Sequence, residues 1–512
     1  MEHCVGATRR EGGRVDRERR PDMSTQTETG IDTRLFIGGE FVEAEGGATF
    51  ENRDPWSGDV VSEVAAGTRA DARKAVEAAA DAFAEWSQTP PSVRQGVFLR
   101  AADVLESRQD EVVSMLARET GCTFGFGMFQ MHFVPGLFRQ AAALAYAPLG
   151  EVLPSDTGAF AMGIRRPVGV VGAIAPWNAA LILSARAISA PLALGNTVVL
   201  KPSEWSPQVG GLLWGEVFAE AGLPAGVLNV VTHAPGEAQG VGDELIESPH
   251  VRRLNFTGST ATGRKLAEAA GRQLKRMVLE LGGYNPLIVL ADADLEYAVD
   301  ATTFGAFLHQ GQICMSARRI IVERTIADEF VSRLADKTSG LKVGDPNEHD
   351  TIIGPVINPE ALETIKARVD AAVAGGARVL AGGSAEGPCF QATLLADVPP
   401  DSEFANVETF GPVAAIEIVD TADEAVERAN ATPYGLSSGI ITTDVERGMA
   451  LAQAIDAGIV HVNDQPVGDE PQMPFGGVKD SGFGRFGGTA VVDEFTETRW
   501  ITVQRGSHPF PF

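Results

Sequence analysis

From Val168 onward the chain alternates short runs of β-branched residues with longer runs of helical periodicity, and this restricts it to an α/β fold built on parallel sheets. The runs are VGVVGAI, LILSARAISAPLAL, TVVLKP, VGGLLWGEVFAEAG and VLNVV, then RRLNFTG, the helical TGRKLAEAAG, and RMVLELGG. They read as βαβ units covering a sheet on both faces. A second alternating series runs from near Asn285 to about Val462, its elements separated by the turn clusters GDPNEHD, AGGSAEGP and DVPPDSE. Two stretches break the rhythm. GEVLPSDTGAFAMGIRRP and the closing FTETRWITVQ carry hairpin-like alternation, and exposed edges of that kind are often covered by another subunit.

A length of 512 residues predicts two or three packed units. The 42 Lys and Arg against 68 Asp and Glu give a formal charge of −26, with no basic stripe to neutralise a phosphate backbone, so nucleic acid is excluded as a partner. Eight lysines against 34 arginines suit either a GC-rich genome or adaptation to salt. Cys4, Cys122, Cys314 and Cys389 lie far apart with no C-x-x-C pair, which predicts neither disulfides nor a metal site and fits a reducing cytoplasm. The first 22 residues lack the apolar stretch of a secretory signal and read as disordered, with Met23 an alternative start. Pro167 to Ala185 is free of charge and long enough to span a bilayer, but Pro167, Gly169, Gly172, Pro176 and Asn178 interrupt it. Strand, turn and helix start is the better division, and no membrane partner is expected.

Four features carry chemistry. In GQICMS, Cys314 precedes Arg318 and Arg319, and a thiol near basic groups ionises more readily into a nucleophile; a lone cysteine among apolar residues is otherwise an inert core residue. In VLELGGYNP, Glu280 ends a buried strand, where desolvation raises a carboxyl towards a general base's range, unless the side chain simply reaches water. In APWN, Asn178 stands where a parallel strand hands over to a helix; its amide can donate to a developing oxyanion or cap the helix. KPSE, with Lys201 and Glu204, and FTGSTATG supply charge, a ribose acceptor and a helix start for a pyrophosphate, although neither is a G-x-G-x-x-G fingerprint.

In order, APWN, KPSE, FTGS, ELGG, GQIC, ETFGP and PFGGVKDSGFGR resemble the aldehyde dehydrogenase superfamily from about Leu35 to Gln504, with Cys314 lying 34 residues beyond Glu280. The resemblance implies that Cys314 is the nucleophile, Glu280 the base for deacylation, and Asn178 with the Cys314 backbone N–H the oxyanion hole. It implies that Lys201 and Glu204 contact the adenosine ribose, Ser259 the pyrophosphate, Glu408 and Phe410 the nicotinamide-side ribose, and that Trp177 lies near the phosphates. It further implies a Rossmann-like parallel-sheet cofactor domain from residues 31–150 and 167–280, and a second α/β catalytic domain over 281–485. A β-hairpin oligomerisation element of 151–166 and 486–512 would make a homodimer or homotetramer, behind a disordered extension of 1–30. Glu204 would repel a 2′-phosphate and favours NAD, while Lys201 leaves NADP possible.

Ala179 and Ala180 after APWN leave room for a flat ring, and GQICMS with DEPQMPFGG is similar to the benzaldehyde, salicylaldehyde and vanillin dehydrogenase branch. In that branch an arginine at the Arg186 position is thought to assist at the active site; the alternative reading is a surface salt-bridge partner. Phe126, Met128, Phe129, Met131 and Phe133 are either pocket wall or plain core. The expected substrate is an aromatic aldehyde, oxidised to its acid through a cysteine thioester. Three alternatives stand: an aliphatic aldehyde or semialdehyde; an acylating coenzyme-A enzyme, against which Glu280 argues; and a catalytically silent protein on the same fold, which would have lost one of the three core residues.

Overall fold

The computed structural model describes residues 30–507 and 509–512. The expected disordered extension, apart from Gly30, and the alternative start at Met23 lie outside the described residues.

The first sheet reads, edge to edge, Glu40–Val42, Leu35–Ile37, Leu228–Val230, Thr197–Lys201, Val170–Ile174, Val251–Thr257, Arg276–Glu280 and Gly482–Phe483. The run from Leu228–Val230 to Arg276–Glu280 is parallel. Every residue of Val170–Ile174 and of Thr197–Lys201 is buried, which is why both are almost entirely β-branched or small and show no polar alternation. The parallel part begins at Val170–Ile174, winds two strands to one side, then returns to add Val251–Thr257 and Arg276–Glu280 on the other. That reversal opens a crevice at the carboxyl ends of Val170–Ile174 and Val251–Thr257, the place where doubly wound sheets bind ligands.

The charge-free segment divides as its glycines and prolines predict. After Val170–Ile174 comes a short link and then the helix Ala180–Ala193, all of it buried. Among the described residues no helix is long and apolar enough to cross a membrane.

The second sheet reads Arg378–Ala381, Thr393–Ala396, Val413–Val419, Ala317–Glu323, Asn285–Val289, Ser437–Ile441 and Ile459–Val462. All neighbours are parallel except Arg378–Ala381, which pairs antiparallel with Thr393–Ala396. Gly150–Leu153, Phe160–Pro167 and Thr496–Val503 form a separate antiparallel sheet. It leaves Leu149, Val152 and Trp500 at 75%, 69% and 76% exposure.

One strand departs from the sequence boundary at residue 485. Gly482–Phe483 pairs antiparallel with Leu279 and Glu280 and so completes the first sheet. Glycine is required there: Gly482 has φ 110°, and a Cβ would stand 2.0 Å from the Leu279 carbonyl oxygen. This crossing brings the chain after Ile459–Val462 over the end of the strand that carries Glu280.

Candidate active site

Cys314 sits on a loop whose backbone is forced into shape. Beyond the helix Leu295–Phe307, His309, Gln310 and Gly311 are successively left-handed, with φ 50°, 53° and 63°. Two non-glycine residues in that region persist only where the surroundings over-determine them. Gln310 Nε2 donates to the carbonyls of Gly121 at 2.9 Å and Pro355 at 3.0 Å. Arg318, 1% exposed, donates to the carbonyls of Gly311 at 2.8 Å, Ile313 at 3.2 Å and Gly411 at 3.2 Å. Asn285 Nδ2 donates to the carbonyls of Cys314 at 2.7 Å and Ser316 at 3.0 Å. Asn178 Nδ2 donates to the Gln312 carbonyl at 2.9 Å. The thiol is thereby held by side chains from both sheets.

Arg318 is electrostatically coupled to Cys314, but the arginines after Cys314 do not outweigh its burial. Arg318 is spent on carbonyls and lies over the Phe410 ring at 5.5 Å, while Arg319 pairs with Glu417 at 2.7 Å. Burial pushes the Cys314 thiol up to about 12; Glu408 and Glu280 add to the rise, and Arg186 opposes it. The residue is only half-buried, so a reactant retains access while the surrounding protein removes most of the water. The resting thiol is therefore protonated, contrary to the expectation drawn from its basic neighbours.

Glu280 is 3% exposed, and neither carboxylate oxygen has a hydrogen-bond partner in the protein. Burial holds its carboxyl well above the usual range, against the pull of Arg186 and Arg485. Of the two sequence readings, the desolvated carboxyl is the one found. The glycines around it matter: a Cβ at Gly476 would stand 2.7 Å from Glu280 Oε1.

Arg186 is neither on the surface nor alone. It is 5% exposed, forms an ion pair with Asp469, and lies over the rings of Phe475 at 4.3 Å and Phe133 at 5.8 Å. Asp469 belongs to the DEPQMPFGG stretch but was not legible as a site residue. Of the aromatic run, Phe133 meets Arg186, Phe126 stacks on His309 at 4.6 Å, and Phe129 is 43% exposed. Ala180 is fully buried; Ala179 is the helix N-cap, and Asn178 does not cap it.

Lys201 is 7% exposed, and its ammonium lies 2.5 Å from His233 Nε2 and 3.2 Å from the Pro202 carbonyl. Burial lowers Lys201 to about 8 and His233 to about 4, so the imidazole is the neutral partner. Its Nδ1 faces the Ala234 carbonyl at 2.9 Å, leaving Nε2 to accept from Lys201. Glu204 stands 3.9 Å from the same ring. Sequence reasoning missed His233, although it lies three residues beyond Val230, at the carboxyl end of a parallel strand. Ser259 is exposed at the start of the helix Thr260–Arg272, where its hydroxyl accepts from the Thr262 N–H at 3.2 Å. Across the cleft Trp177 meets Phe410 edge-on at 5.7 Å. Glu408, 3.7 Å from Arg318, accepts from the Gly283 N–H at 3.4 Å. A buried cation beside an acceptor, an open helix N-terminus and a second carboxylate are a donor set that fits a dinucleotide. Among the described residues no group of three His, Cys, Asp or Glu is placed to hold a metal ion.

Two α/β sheets meet around one thiol that is electrostatically coupled to a desolvated carboxyl, next to residues that fit a dinucleotide. The chain belongs to the aldehyde dehydrogenase family, whose model matches residues 41–501. It is 47% identical to a vanillin dehydrogenase of Pseudomonas fluorescens over 94% of this chain and 100% of that one. It is 42% identical to a benzaldehyde dehydrogenase [NAD(+)] of Pseudomonas putida, over 92% and 96% respectively. The crystal structure of a salicylaldehyde dehydrogenase from Pseudomonas putida G7 complexed with salicylaldehyde matches with a TM-score of 0.92 and 43% identity, covering 94% of this chain and 99% of that one.

Proposed function

We propose that this protein oxidises aromatic aldehydes of the benzaldehyde, salicylaldehyde or vanillin type to carboxylic acids with NAD. The observation that carries the chemistry is the meeting of the Cys314 thiol and the unpartnered, buried Glu280 carboxyl in one electrostatic neighbourhood. The names of the three relatives support the aromatic substrate and, for the benzaldehyde enzyme, the cofactor. Bound NAD supplies the hydride acceptor and a positively charged ring that favours a nearby thiolate. Lys201, Glu204 and Ser259 would hold its adenosine and pyrophosphate half, and Trp177, Glu408 and Phe410 its nicotinamide half.

The chain's own residues do the rest. Cys314 first gives up its thiol proton to solvent, the thiolate adds to the aldehyde carbon, and the oxygen, now negative, receives hydrogen bonds from Asn178 and the Cys314 backbone N–H. Asn178 is suited to this because one N–H is tied to Gln312, which fixes the plane of the amide and aims the other. Loss of hydride leaves a thioester on Cys314. Glu280 then takes a proton from water, hydroxide adds to the thioester carbon, and the acid departs as the thiolate re-forms. Arg186 supplies a buried positive charge beside this chemistry.

The exposed apolar side chains of the antiparallel sheet support assembly as a homodimer or homotetramer through the 151–166 and 486–512 element. The unpaired Cys122, Cys314 and Cys389 support a cytoplasmic setting. Initial rates with NAD and NADP across benzaldehyde, salicylaldehyde, vanillin, hexanal and succinic semialdehyde test the reading. An aromatic preference with NAD supports it, and a semialdehyde preference overturns the substrate class.

A further inference from the structure

The guanidinium of Arg186 influences two buried carboxylates, and only one of them has it. Asp469, 11% exposed in its side chain, makes the hydrogen-bonded ion pair. Glu280 has no hydrogen-bond partner at all, although Arg186 is the strongest stabiliser of its anion. The other cation near Glu280, Arg485, is likewise committed elsewhere: its Nη1 donates to the carbonyls of Gly477 at 2.8 Å and Gly484 at 2.7 Å. Arg186 is further pinned by its position over Phe475 at 4.3 Å. Asp469 and Phe475 come from one segment, so a single loop grips the guanidinium from its edge and its face.

We infer that Asp469 is a positioning residue that holds Arg186 away from Glu280 and so keeps the general base free. The inference rests on the reading of Glu280 as that base. A carboxylate captured by an arginine is a poor base, because two charge-assisted hydrogen bonds stabilise its anion and occupy the lone pairs that must receive the proton. With Asp469 as competitor, Arg186 lends long-range charge without contact. Without it, Glu280 is the partnerless buried carboxyl within the guanidinium's electrostatic reach.

The groups facing Glu280 fix the direction of the pH effect. They are Arg186 from the helix Ala180–Ala193, Arg485 from the segment after Gly482–Phe483, Asp469 from its loop, and Cys314 from the nucleophile loop. Removing the Asp469 charge removes a group that raises Glu280 and frees one that lowers it, so both changes move Glu280 downward.

Deacylation of a benzoyl-enzyme is the measurement, followed by stopped-flow NADH absorbance with full-length protein, benzaldehyde and NAD. Asp469→Asn is expected to slow deacylation roughly tenfold or more, making a burst visible, because a paired carboxylate loses its driving force for proton transfer. The acid limb of its deacylation profile is expected to move down by at least about one pH unit. Arg186→Gln alone should move the acid limb of deacylation upward, because Glu280 loses the strongest stabiliser of its anion, and the double variant should recover from the Asp469→Asn behaviour to the Arg186→Gln profile. That recovery is what a merely structural Asp469 would not give. Wild-type deacylation in Asp469→Asn, or a double variant as slow as Asp469→Asn, overturns the inference. Should Asp469→Asn not fold, Arg186→Gln decides: a tenfold loss on the pH-independent plateau above the acid limb means that the arginine assists deacylation directly, which also overturns it. Glu280→Gln in the same assay separates the two levels, since wild-type deacylation in that variant refutes the base itself.

Discussion

Asn178, at the carboxyl end of the central strand of the first sheet, donates its side-chain amide to the carbonyl of Gln312, two residues before the thiol, at 2.9 Å. One side chain thus aligns the Cys314 loop, and in the proposed mechanism its second N–H donates to the reacting oxygen. Replacing it with alanine should lower kcat for benzaldehyde by roughly 10²–10³-fold, the usual cost of losing one oxyanion donor. Steady-state kinetics together with intact NAD binding would check this.

Glu280 connects activity and stability to pH in a stated direction. Its carboxyl is raised by burial, so it is protonated at pH values where an exposed glutamate is already ionised. Deacylation should fall as pH drops through the raised value. Over the same window the folded state binds a proton that the unfolded state has released, so stability declines as pH rises. Glu280→Gln should therefore gain thermal stability over wild type progressively towards alkaline pH, as measured by calorimetry at a series of pH values.

The Lys201 site makes a separate prediction for the cofactor. Its ammonium, lowered to about 8 by burial, loses its proton as the pH rises past that value, so the KM for NAD should climb above pH 8 with kcat nearly unchanged. Glu204→Gln should raise kcat/KM for NADP relative to NAD by about tenfold, through loss of one repulsive charge near the 2′ position.

Arg318 is a structural keystone of the thiol loop. Substitution by alanine strands the carbonyls of Gly311, Ile313 and Gly411 and should cost roughly 3–5 kcal/mol of stability, as breaking a buried charged cluster does. Denaturant unfolding would measure it, and Arg318→Lys should recover only part, because an ammonium lacks the planar fork.

What could be read in the sequence and what could not have a common physical cause. The strand and helix rhythm is local, so the sheets and the separate hairpin followed from residue periodicity. Cys314, Glu280 and Asn178 were weak signals singly and stood out because their short stretches follow one another in the order of a known family. Asp469 did not, because its meaning comes from Arg186, 283 residues away. His233 is an ordinary loop histidine until folding lays it against Lys201. Arg318 misled for the same reason: beside a cysteine in sequence it suggested activation, but its guanidinium turns beneath the loop to bind carbonyls. The membership of Gly482–Phe483 in the first sheet was hidden because one β-pair that crosses between sheets leaves no periodic trace.

The central claim is that the oxidised substrate is esterified to Cys314. Glu280→Gln protein, mixed with benzaldehyde and NAD, quenched in acid and digested, tests it by mass spectrometry. The account predicts that the peptide containing Cys314 gains one benzoyl group, with NADH formed in equal amount. NADH production in wild type that survives alkylation of Cys314, with that peptide unmodified throughout turnover, would contradict it.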